Sequence, residues 1–226
     1  MQIKDLQPAS ALAGIYGAKC IGYGGPGSGK TPLIMTAPNP VLCVVEPGML
    51  SMRRATNIPA FEAYTAPRIY EFFDWLFKSN ESKNFDTVCV DSVSQMAEVI
   101  LTDMLKKHSH GMKAYGEMSI KVMEILNALY YLRNKHMYLI AKQGTIEEGG
   151  IQKRRPFFPG QDLNVKVPHM FDQILHIGKA RVPGVMNEVN AIRCMPTIDI
   201  MARDRSGLLA EFEPMDLAAL FKKVMQ

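Results

Sequence analysis

The chain has 226 residues, with 26 Lys and Arg against 22 Asp and Glu, for a formal charge of +4. Apolar residues make up 47% and charged residues 21%, a balance that excludes an intrinsically disordered chain and suits a packed α/β core. The small positive excess permits an anionic partner without demanding one, and no apolar run reaches the roughly eighteen residues of a membrane span.

The lead segment, 1–17, carries Asp5, Gln7 and Pro8 and lacks the continuous apolar stretch of a signal peptide. Beyond it, short apolar runs alternate with helical patterns. Residues 18–22 read as a first strand, and 30–36 as a short helix that Pro38 interrupts. Strands are expected at 41–45, 88–90, 137–141 and 173–177, all with little polar alternation, as in strands covered on both faces. Helices are expected at 68–79, 94–108 and 115–134, the last with Ile120, Met123, Leu126 or Asn127, and Tyr130 at helical spacing. Segment 144–168 is polar, basic and without periodicity, and reads as a loop. Residues 191–202 suggest one or two further strands, antiparallel to the rest, and 215–225 a closing amphipathic helix. The expectation is a single domain, 1–226, built on a mostly parallel central sheet flanked by helices, with antiparallel strands at the C-terminal end.

Four cysteines, Cys20, Cys43, Cys89 and Cys194, form no CxxC pair, and the first three sit in apolar runs. They are expected as buried, reduced thiols, which places the chain in a cytoplasmic setting. His108 and His110 have no nearby Cys partner and read as a solvated helix end.

The strongest motif is Gly24-Gly25-Pro26-Gly27-Ser28-Gly29-Lys30-Thr31, between the first strand and the first helix. Glycines allow positive φ and close backbone approach, so successive amides can converge on an anion. Lys30 reaches the β and γ phosphates and the Thr31 hydroxyl ligates a metal, which makes this a site for ATP and Mg2+. A competing fingerprint, Gly22-x-Gly24-x-x-Gly27, overlaps it, with Glu46 as the ribose-binding acid of a dinucleotide site. Lys30-Thr31 completes the stricter motif. Phe85-Asp86-Thr87-Val88-Cys89-Val90-Asp91-Ser92 supplies a second signature, an apolar strand ending in the Asp91 carboxylate that holds a magnesium-bound water. Glu46 closes the intervening strand, where it can orient and deprotonate an attacking water.

This order of motifs resembles the RecA-like ATPase core and, more closely, the short phage-encoded ATP-binding or Sak-type single-strand annealing proteins. The resemblance spans about residue 18 to the C-terminus, and the segments His110–Gly116 and Ala202–Gly207 add to it. It implies Glu46 as the catalytic carboxylate and Gln143 as the sensor of the γ-phosphate. It implies Arg203 and Arg205 as a basic pair acting on the nucleotide of a neighbouring subunit, their spacing of two placing both on one face of an extended strand. It also implies ring or filament self-association, a cytoplasmic site of action (the host's, if phage-encoded) and a single-strand-binding or annealing partner. The separate N-terminal oligomerisation domain and long C-terminal extension of full recombinases are not expected, so ATP-driven annealing, or assistance to another DNA-binding protein, is expected rather than stable filaments and strand exchange. Lys153-Arg154-Arg155 followed by Phe157 and Phe158 suits single-stranded DNA, with cations for phosphates and rings for bases. The expected function is thus a DNA-stimulated ATPase in recombination, annealing or replication. A small-molecule or nucleotide kinase and an ATP-switched assembly factor are the alternatives.

Overall fold

The computed structural model describes residue 2 and residues 6–226, so residues 1 and 3–5 of the lead segment lie outside the described residues. After a short helix α1 (Ala9–Ala13), the strands are β1 (Lys19–Gly24), β2 (Pro40–Val44), β3 (Ala60–Glu62), β4 (Thr87–Asp91), β5 (His136–Glu148), β6 (Ile151–Phe157), β7 (Gln173–Ala180), β8 (Val189–Arg193), β9 (Arg203–Asp204) and β10 (Phe212–Glu213). The helices are α2 (Ala66–Lys78), α3 (Val93–Lys107), α4 (Gly111–Tyr130), α5 (Gln161–Met170) and α6 (Leu217–Val224).

Among the described residues the strands form one sheet in the order β10-β8-β7-β1-β5-β4-β2-β3, with β6 on β5 and β9 on β7. The six strands from β7 to β3 run parallel, and β6, β8, β9 and β10 pair antiparallel. The expected α/β architecture, with antiparallel strands at the C-terminal end, is the one observed. Its physical basis is the burial pattern: β1, β2 and β4 are buried along their whole lengths, so both sheet faces need a covering layer. One face packs on α2–α5 through Ile69, Phe72, Met96, Ile100, Met118 and Leu126. The other packs on the segment after β1 and on α6 through Leu33, Ile34, Leu217 and Phe221. All four cysteines are buried and unpaired by disulfides.

Local chemistry sets the helix ends. Ser92 caps α3 by accepting from the Gln95 amide, and Asp216 caps α6 by accepting from Ala219 at 3.0 Å. Pro67 lies in the first turn of α2, where a missing amide costs little.

Several expectations are corrected. The 30–36 helix is a five-residue 3-10 turn, Pro32–Thr36, because Pro32 opens it and Pro38 and Pro40 follow at once. In α4 the buried row is Ala114, Met118, Val122, Ile125 and Leu129, while Ile120 is 60% exposed. The apolar spacing of Ile120 and Tyr130 is one step out of phase with the core. Strand β3 has no apolar run to announce it, since its residues are exposed or half-buried at the sheet edge.

The largest correction concerns 144–168, which is not a loop. Its first part is a β-hairpin: β5 runs on to Glu148 and β6 returns beside it, and its second part is α5. Gly149 (φ 60) and Gly150 (φ 79) both take the left-handed turn that a two-residue hairpin needs. That glycine pair was the available signal. Polar and basic residues on both faces of β6 hid the strand.

Candidate functional site

The parallel strands deliver their C-terminal ends to one edge of the sheet. In register, Gly24 of β1 stands opposite Lys142 of β5, and Asp91 of β4 stands opposite Ile140 of β5 and Val44 of β2. Gly24, Lys30, Thr31, Glu46, Asp91 and Gln143 therefore line one cleft of about 620 Å3. The two glycine-rich and acidic signatures lie 60 residues apart in sequence, yet Thr31 Oγ1 donates to Asp91 Oδ2 at 2.6 Å.

The glycines of the loop are required for different reasons. A Cβ on Gly24 would sit 2.1 Å from the Ile177 carbonyl oxygen, so only glycine lets β1 and β7 close here. Gly27 (φ 72) and Gly29 (φ 93) take conformations that disfavour side chains. Around Gly25 and Gly27 the space is open. Among the described residues, the amides of Gly27, Gly29, Lys30 and Thr31 have no acceptor, whereas Ser28 N donates back to Gly25. Unpaired amides around an open space fit an anion. Because the 3-10 turn that follows is so short, these amides rather than a long helix dipole attract it.

Lys30 Nζ donates to the carbonyls of Gly24 and Gly25, each at 2.8 Å, and to Ser28 Oγ at 3.2 Å. The ammonium is thus held at the mouth of the loop by groups that a phosphate would replace. Burial lowers its pKa, and the carboxylates of Asp91 and Glu46 act against that shift. Asp91 is 6% exposed. Burial raises its pKa, the Thr31 hydroxyl opposes, and Glu46 adds to the rise. Two carboxylates beside one lysine offer oxygen ligands to a cation.

Glu46 follows β2 and is half-buried at the cleft. Gln143 of β5 lines it as well. Lys142 carries the contact that was not anticipated. Its Nζ donates to Gln95 Oε1 at 2.6 Å and pairs with Glu98 Oε2 at 2.7 Å, both on α3. The i,i+3 spacing of Gln95 and Glu98 on α3 was the signal. Its amide donates to Ser94 Oγ, which in turn donates to the Phe157 carbonyl, so the cleft, α3 and the hairpin share one network.

The remaining residues lie elsewhere. Lys153 pairs with Glu148 at 3.3 Å and Arg154 with Asp199. Arg155 is half-buried, Phe157 is 37% exposed, and Phe158 belongs to the core. Arg203 and Arg205 do not line the cleft of their own chain. Arg203 Nη2 donates to the carbonyls of Pro168 (2.6 Å) and Phe171. Arg205 donates to the His169 carbonyl at 2.7 Å and pairs with Asp172 at 3.1 Å. Both guanidinium groups satisfy carbonyls at the C-terminal end of α5. His108 ends α3, contacts Glu117 of α4 at 2.8 Å, and so ties two helices together. Among the described residues no helix is long and apolar enough to cross a membrane.

No curated protein matches the chain. Among solved structures, a KaiC-like protein from the hyperthermophilic archaeon Pyrococcus horikoshii OT3 is similar at 12% identity, over 80% of this chain and 82% of that one, with a TM-score of 0.43. A family model described as an AAA domain matches residues 16–206. That match takes in the glycine-rich loop, Glu46, Asp91 and Gln143, and the protein belongs to this AAA-domain family, with a P-loop ATPase core.

Proposed function

We propose that the protein is an ATP- and Mg2+-dependent hydrolase of the RecA-like kind that acts on single-stranded DNA in phage-type recombination, annealing or replication. The observation that carries the ATPase reading is the convergence of Lys30, Thr31, Asp91 and Glu46 on one cleft. The amides of Gly27, Gly29, Lys30 and Thr31 would hold the phosphates, with Gly24, Gly25, Pro26 and Ser28 shaping the loop around them. Thr31 and Asp91 would hold Mg2+, which neutralises phosphate charge when bound. Glu46 would orient the attacking water and take its proton, and Gln143 would sense the γ-phosphate.

The DNA reading rests on the cations of the β5–β6 hairpin and on the resemblance to Sak-type annealing proteins. The hairpin grows out of the strand that lines the cleft, so occupancy of one end of β5 has a covalent route to the other. Arg203 and Arg205 act on a neighbour's nucleotide in this reading, within a ring or filament. For that they must exchange the α5 carbonyls for phosphate oxygens.

The test is ATP turnover with and without single-stranded DNA, run with light scattering in a non-hydrolysable analogue. Turnover that rises with DNA, and particles that grow with the analogue, are expected. Turnover indifferent to DNA but driven by a small hydroxyl acceptor would select a kinase instead.

A further inference from the structure

Three consecutive cations on β6 have different fates. Lys153 and Arg154 have acidic partners. The Arg155 guanidinium has no hydrogen bond or ion pair among the described residues, although it is half-buried and burial lowers its pKa. The acid that acts on it, Glu148, is already in contact with Lys153.

Arg155 lines a groove of about 350 Å3 between the hairpin, α5 and β9. Arg203 lines the same groove, and its Nε is buried with no partner among the described residues. Ile146, Val165 and Met201 give the groove an apolar wall, and Val165 is 61% exposed. A desolvated guanidinium without a counter-ion is unfavourable unless an anion completes it. Its planar fork matches two oxygens of one phosphate. An apolar wall beside such a fork suits a base attached to that phosphate.

We propose that this groove seats one nucleotide of a single-stranded nucleic acid. The phosphate lies on Arg155, and the base lies against Ile146, Val165 and Met201. The inference rests on the DNA reading above and assigns it a specific pocket, which the three-cation run alone does not. It also separates Arg155 from Lys153 and Arg154, whose charges are already answered.

The experiment is fluorescence anisotropy of a labelled oligothymidine over a range of salt, with the nucleotide analogue present. Arg155→Ala should raise the Kd roughly tenfold and lower the salt slope by about one. Arg155→Lys, which keeps the charge and guards against misfolding of the alanine variant, should restore the slope but not the affinity. Wild-type protein that binds while Arg155→Ala binds equally well would overturn the groove alone. So would Arg155→Lys matching wild type, since a bare charge would then suffice. Wild-type protein that does not bind the oligonucleotide would remove both the groove and the DNA reading.

Discussion

Strand β5 passes through two regions that treat charge in opposite ways. At Ile140–Gln143 it borders the cleft, where Lys30, Asp91 and Glu46 face one another and the loop amides stay unpaired around open space. Two to three residues further along the strand, in the hairpin, Lys153 and Arg154 have been matched with acids, and beyond the hairpin Arg203 and Arg205 cap a helix end. The cleft keeps its loop amides available because parallel strands end together there and no further backbone arrives to pair with them. The hairpin is antiparallel, and its neighbours supply partners. Richness in charge is therefore a poor guide to function, and unsatisfied, partly buried charge is a better one.

The comparison breaks most sharply at Lys30. Lys30→Ala should abolish measurable ATP binding by calorimetry while leaving the melting temperature nearly unchanged, because its bonds stay within the loop. ATP binding by the folded variant would show that the cleft is not organised around this ammonium. Glu46→Gln should bind ATP normally and lose at least about a hundredfold in kcat; single-turnover measurements at a normal rate would remove Glu46 from the chemistry.

Asp91→Asn tests the buried acid in two ways. Mg2+-dependent turnover should fall by roughly a hundredfold or more. In the nucleotide-free protein the substitution should raise the melting temperature at neutral pH. The folded pKa of Asp91 lies above its ordinary value. Its stabilising contribution is therefore complete below the unfolded carboxylate pKa and is lost as pH rises through the folded one. The neutral side chain removes that loss, so a melting temperature that falls at neutral pH would contradict the sign.

Smaller effects belong to the hairpin. Tyr23 on β1 donates its hydroxyl to the Arg154 carbonyl at 3.0 Å and to the Met201 carbonyl at 2.6 Å, holding β6 over the sheet. Tyr23→Phe should cost about 1–3 kcal/mol in denaturant unfolding, since the Met201 carbonyl loses its donor, whereas the Arg154 carbonyl still accepts from the Met201 amide. Lys153→Ala should change stability by less than about 1 kcal/mol, the range for an exposed pair. A Lys153 effect as large as that of Tyr23 would mean that the hairpin is held by charge rather than by its buried hydroxyl.

Much of the fold was legible because most of the parallel strands are apolar and because α3 and α6 have capping residues beside them. Val88–Val90 and Met137–Ala141 lie inside the observed β4 and β5. The strand at β3 and the hairpin were not legible, because edge and antiparallel strands keep polar residues on the solvent side. In α4, residues of both faces are apolar, so periodicity could not say which stripe meets the sheet. In the site, spacing alone singled out the glycine-rich loop and Asp91, and the structure brings them together. The Lys142 tie to Gln95 and Glu98, and the capture of Arg203 by α5, depend on packing between elements far apart in the chain.

What the amino-acid order determined by itself was local: where the backbone must take positive φ, where a strand ends in a carboxylate, and which runs must be buried. Those follow from steric limits and from solvation, which act over a few residues. Which charges remain open to a ligand was decided only by the tertiary structure. A cation's availability depends on whether folding brings it an acid or a carbonyl, and those partners lie 5 residues away for Lys153, 35 for Arg203 and 44 for Lys142.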